Sequence, residues 1–181
     1  MKTRHLLGTT AAIALGAFAF GHGALAVSPA STTFNINATV ANACTVSASD
    51  IGFTTIATGQ IATSGTNGIK VTCTADGTYD VGMMGTNSGA SALGVGNLVN
   101  GANTPIPYTL YQNSAASTVW GNTPGANTVT GQSGCSGTGT GNCTGTGSEQ
   151  DYEVWAKLGT VPGTLHLGTY SDIVTVSVNY Y

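Results

Sequence analysis

The sequence predicts an all-β protein, a sandwich or barrel of many short strands. Three observations carry that prediction. Apolar residues recur at every second position in several short segments, the period of a half-buried strand. Those segments are separated by turn residues, and the 181 residues include 27 glycines. After the first 26 residues no stretch repeats apolar residues with the 3.6 period of an amphipathic helix of useful length.

Residues 1–26 stand apart from that pattern. Lys2, Arg4 and His5 form a positive start, "AAIALGAFAF" is a short apolar run, and Ala24–Ala26 ("ALA") is a small-x-small cleavage signal. This predicts a secretory signal peptide over 1–26, too short for a membrane span. Its removal leaves 155 residues, enough for one domain with a core of its own. No later apolar run is long enough to span a bilayer, so no membrane span is expected after signal cleavage.

The strands follow in order. Over Thr33–Val40, Phe34, Ile36, Ala38 and Val40 alternate with Thr33, Asn35, Asn37 and Thr39. Cys44–Ala48 continues extended, and Ile51–Gly59 ("IGFTTIATG") is expected as a short strand. Ile69, Val71 and Cys73 alternate with Lys70, Thr72 and Thr74, and Tyr79, Val81 and Met83 repeat the pattern after Asp76-Gly77. That turn dipeptide makes the two segments read as a hairpin. Residues 86–103 are a polar connection with a short apolar piece at Leu98–Val99. Ile106, Tyr108 and Leu110 share a face, with Pro107 confining its end to an edge or a strand start. A turn-rich segment surrounds Trp120, and Gly131–Gly147 is a low-complexity tract expected as a disulfide-pinned surface loop. Tyr152, Val154, Ala156 and Leu158 form one more face, and Val174, Val176, Val178 and Tyr180 the last.

Charge is scarce. Lysine, arginine, aspartate and glutamate make up 6% of the chain, against roughly 25% in an ordinary domain. After residues 1–26, only Lys70 and Lys157 stand against seven acids, a formal charge of −5. Such a surface has no footprint for nucleic acid or an anionic membrane. It also offers few general acids or bases.

Four cysteines, Cys44, Cys73, Cys135 and Cys143, in an exported chain read as two disulfides, for which three pairings exist. Cys44–Cys73 is favoured because the two lie on neighbouring predicted strands, and Cys135–Cys143 because they share one glycine-rich loop. Metal binding fails on spacing, with no C-x-x-C and no nearby histidine. No phosphate-binding glycine motif, no nucleophile elbow and no catalytic set emerges. His166 is a lone histidine, and pairing it with Asp172 in a triad is possible only on paper. Glu149, Asp151 and Glu153 share a face if extended, which would suit weak cation binding, but a solvated strand is the simpler expectation. Trp120, Trp155 and the tyrosines suit a sugar site, but core packing is the default. We therefore expect no enzyme, no cofactor and no metal.

An immunoglobulin-like sandwich would have another strand after the last one seen here. The pattern thus holds a strand too many at the front and one too few at the back. "FNINATVANACTVSA", "YTLYQNSAASTVWGN" and "GTYSDIVTVSVNYY" resemble the spore coat protein U domain family, over about Phe34 to Tyr181. That family includes pilin subunits of the archaic chaperone–usher pathway; the Gly131–Gly147 tract lies outside the shared pattern.

The resemblance implies an incomplete immunoglobulin-like β-sandwich lacking its final strand, with an N-terminal donor-strand extension. It divides the chain into a signal peptide (1–26), an extension (27–42) and a pilin domain (43–181). Phe34, Ile36, Ala38 and Val40 would fill a neighbour's groove, a known form of β-augmentation. The acceptor groove would be bordered by Val174, Val176, Val178, Tyr180 and Tyr181. The partners implied are a periplasmic chaperone, an outer-membrane usher and identical or related subunits, giving a cell-surface fimbrium that serves adhesion or biofilm formation. A monomeric secreted β-sandwich binding module, for carbohydrate or a surface, is the alternative.

Overall fold

The computed structural model describes residues 29–101 and 103–181. The expected signal peptide lies outside them. The chain divides into two units, Met1–Ala38 and Thr39–Tyr181. Residues 29–38 of the first contain no strand.

The second unit is all β among the described residues. Its strands are β1 (Cys44–Ser47), β2 (Thr63–Cys73), β3 (Thr78–Gly85), β4 (Val95–Leu98), β5 (Ile106–Tyr111), β6 (Cys143–Thr144), β7 (Glu149–Leu158) and β8 (Val174–Tyr180). They form a five-stranded sheet in the order β1-β2-β7-β5-β4 and a three-stranded sheet in the order β6-β3-β8. Every strand pairing is antiparallel. No helix among the described residues is long and apolar enough to cross a membrane.

The alternating residues build the core as expected. Ile69, Val71, Cys73, Ile106, Tyr108, Leu110, Tyr152, Val154, Ala156 and Leu158 come from one sheet, and Tyr79, Val81 and Met83 from the other; all are buried. This is the sandwich arrangement, in which both inner faces interdigitate.

Two sequence expectations are corrected and a third is extended. First, β2 and β3 are not a hairpin, since β2 pairs with β1 and β7 while β3 pairs with β6 and β8. The Asp76-Gly77 turn is real, with Gly77 N donating to Thr74 O over 3.0 Å. It carries the chain from one sheet to the other. Period-two alternation marks one buried face, and that face is equally buried when the strands oppose each other across a sandwich.

Second, Ile51–Gly59 is not a strand. Ile51, Phe53 and Ile56 still pack on the core, but no neighbouring strand completes a ladder there. Third, the 131–147 tract is the largely exposed, disulfide-pinned loop expected, but it also anchors in the core and adds a strand. Cys135 and Cys143 are buried in the core, and Cys143–Thr144 pairs with Tyr79 and Thr78. The Leu98–Val99 piece also contributes, as the end of the edge strand β4 and a bridge from Val99 to Ser171.

The segment around Trp120 seals the side of β3 away from β8. Met83 N donates to Gly121 O over 2.8 Å and Val129 N to Val81 O over 3.0 Å. The disulfides are Cys44–Cys73 and Cys135–Cys143, as favoured. Their partners lie 29 and 8 residues apart. On the chain-entropy account these loops are worth roughly 3.6 and roughly 2.6 kcal/mol. Replacing the Cys44–Cys73 pair by alanines is therefore expected to lower the unfolding free energy by about 1 kcal/mol more than replacing Cys135 and Cys143. Denaturant titration of the two double variants measures this, and the opposite order would overturn the ranking.

Candidate functional site

The sandwich is open along one side. A groove of about 1240 Å³ runs between the sheets. It is bordered by Ala48–Thr58 and by Leu165–Asp172 with Val174 and Val176 of β8. Its floor is core: Ile69, Met83, Ile106, Leu110 and Val154 among others. At its rim Leu167 and Ile173 are strongly exposed. Exposed apolar side chains beside such a groove mark it as a candidate interaction surface.

β8 presents a free edge beside the groove. β8 is last in the sheet order β6-β3-β8, so only one of its sides is paired. Tyr181 N donates to Thr78 O. In an antiparallel ladder hydrogen-bonded pairs alternate, so Asn179, Ser177 and Thr175 turn their backbone groups toward β3. Val81 O and Met83 N, paired in register with Val178 and Val176, point to the far side of β3, as that alternation demands. The N–H and C=O groups of Val174, Val176, Val178 and Tyr180 therefore lie on the open edge. Such an edge is a template for another strand.

Of the expected acceptor residues, Val174, Val176, Val178 and Tyr180 lie on β8 and Tyr181 directly follows it. Val174, Val176 and Val178 are half-buried against the core; Val174 and Val176 line the groove, and Val178 lies beyond it. Tyr180 and Tyr181 are about half exposed. Tyr181 is tied down at three points. Its N–H reaches Thr78 O, its carbonyl accepts from Asn42 Nδ2 over 2.9 Å, and its hydroxyl donates to the buried Asp80 carboxylate over 3.0 Å.

The expected donor residues are not in a strand. Phe34, Ile36 and Val40 are 81%, 86% and 82% exposed, and Ala38 is exposed too. A segment with that alternation and no sheet of its own leaves its apolar face in water.

Sequence reasoning missed the Ala48–Thr58 lip as a groove wall. The signal was present in the spacing of Ile51, Phe53 and Ile56, but it was assigned to a strand. The other candidate sites resolve into structure. Lys70 Nζ lies 2.5 Å from Glu149 and 3.1 Å from Asp151, so a lysine occupies the place between the two carboxylates. Asp172 accepts from Tyr108, Thr86, Asn87 and Ile173, and His166 is not among these donors. Trp120 is fully buried, as the default held.

A family model described as the Spore Coat Protein U domain matches residues 30–177. Among solved structures, the chain is similar to one in the CsuC–CsuE chaperone–tip adhesion subunit pre-assembly complex from archaic chaperone–usher Csu pili of Acinetobacter baumannii, at 22% identity and a TM-score of 0.48. The match covers 77% of this chain and 40% of that one. No curated relative matches.

Proposed function

We propose that this chain, which belongs to the Spore Coat Protein U domain family, is a structural subunit of a surface pilus assembled by the chaperone–usher pathway. The groove receives a strand from another molecule. In transit through the periplasm that strand belongs to a chaperone; in the fibre, fed through an outer-membrane usher, it is Phe34–Val40 of the next subunit. The fibre serves adhesion or biofilm formation.

The observation that carries this reading is the unpaired β8 edge beside an apolar groove. Three further features support it. The alternating segment Phe34–Val40 has seven residues, as does β8, so each spans about 20 Å as a strand. Its apolar residues are exposed, and inserting them would bury both their area and the groove walls at about 25 cal/mol per Å². An unfilled edge of this kind aggregates, hence the need for a chaperone.

The test is deletion of residues 27–40. The truncated subunit is expected to fold and to be recovered with its chaperone, yet to form no fibres by electron microscopy. Fibres of normal length from the deleted chain would overturn the proposal.

A further inference from the structure

We propose that Asp172 is a positioning residue that, with Tyr108, sets the spacing of the two sheets at the mouth of the groove and so holds it open for a strand. The inference rests on the acceptor role of the groove proposed above.

The geometry is that of a tie joining β5, the end of β3 and the start of β8. Tyr108 belongs to β5 of the five-stranded sheet and donates its hydroxyl to Asp172 Oδ2 over 2.8 Å. The other oxygen, Oδ1, accepts from Thr86 N at 3.2 Å, Thr86 Oγ1 at 3.3 Å and Asn87 N at 3.1 Å. Those residues follow β3 directly, in the three-stranded sheet. Oδ1 also accepts from Ile173 N at 2.8 Å, the residue before β8. One carboxylate thus joins both sheets and the start of the open edge.

Both Tyr108 and Asp172 line the groove. The junction is tight: a Cβ on Gly85 would stand 2.5 Å from Asp172 Oδ2 and 2.5 Å from the Tyr108 hydroxyl, so any side chain there would displace the tie. Burial, and then the neighbouring Asp172, push the Tyr108 phenol well above its ordinary range, so it stays protonated as a donor.

A tie is needed because an open apolar groove is unfavourable. Closing it would remove both walls from water, and nothing in an apolar wall resists that. Directional, charge-assisted hydrogen bonds do resist, against both closure and gaping. An apolar residue at 172 would supply cohesion without a fixed spacing. In this arrangement Asp172 acts before the incoming strand is seated, so its loss shows in the rate of arrival.

The experiment uses the full chain purified as its complex with the chaperone, to which a fluorescent peptide of its own residues 31–42 is added, with uptake followed by anisotropy. Tyr108→Phe deletes one hydroxyl, and Asp172→Asn keeps the shape while removing the charge. Both are expected to slow peptide association about tenfold, the factor carried by a hydrogen bond to a charged group. The dissociation rate of the bound peptide is expected to change little.

If the unaltered chain does not bind the peptide, the acceptor role of the groove falls, and this inference with it. If the unaltered chain binds and Tyr108→Phe associates just as fast, only the positioning role falls. It falls equally if Tyr108→Phe loses binding in step with its folded fraction. Should Asp172→Asn fail to fold, Tyr108→Phe decides alone.

Discussion

Ile36→Asp is expected to abolish fibre assembly while leaving the subunit folded. Ile36 is 86% exposed in the structure, so the substitution removes no packing from the subunit. The floor of a neighbour's groove is built of Ile, Leu, Val and Met side chains, and on our proposal Ile36 is seated there. A carboxylate seated on that apolar floor would give up its water for hydrocarbon contact. Even a modest desolvation cost of about 3 kcal/mol weakens each joint more than a hundredfold, and a fibre multiplies that failure over every joint. Asn35→Asp lies on the opposite face of the same segment and is expected to assemble normally, because period-two geometry keeps it out of the groove. Electron microscopy and sedimentation of the two variants give the answer. Equal behaviour of the pair, in either direction, would sink donation through this face.

Trp120→Ala is expected to cost the subunit about 3–5 kcal/mol, the usual toll of emptying a buried aromatic site. Trp120 is fully buried, meets Tyr152 edge-on at 6.4 Å, and donates its indole N–H to Val81 O over 2.9 Å. Val81 O keeps a second donor in Val129 N, so the loss is chiefly packing and the cavity. A typical domain has only about 5–15 kcal/mol in total. Little soluble subunit should therefore accumulate, and denaturant titration of what does should show the loss directly. A change below about 1 kcal/mol would show that Trp120 does not anchor the segment sealing β3.

The Tyr79–Tyr152 pair shows what tertiary packing adds to pattern. Both tyrosines were expected inward, and both are buried with their hydroxyls 2.5 Å apart, next to Gln150. Alternation places the two rings in the core. That their hydroxyls satisfy each other depends on β3 and β7 lying in opposite sheets, a relation between residues 73 positions apart in sequence.

The all-β class, the inward faces of β2, β3, β5, β7 and β8 and the two disulfide pairs were legible in the sequence by itself. Each is a local property: period two, turn residues, or cysteines on adjoining segments. Only the tertiary structure decided that β2 and β3 part company, that Ile51–Gly59 borders a groove instead of forming a strand, and that the 131–147 tract enters the core. It also decided that Asp172 gathers donors from both sheets. Alternation reports that a face is buried, whereas the partner that buries it is chosen by contacts distant in sequence. The same limit applies to Phe34–Val40. Its pattern marks one apolar face, and on our proposal that face is seated in the groove beside the β8 edge.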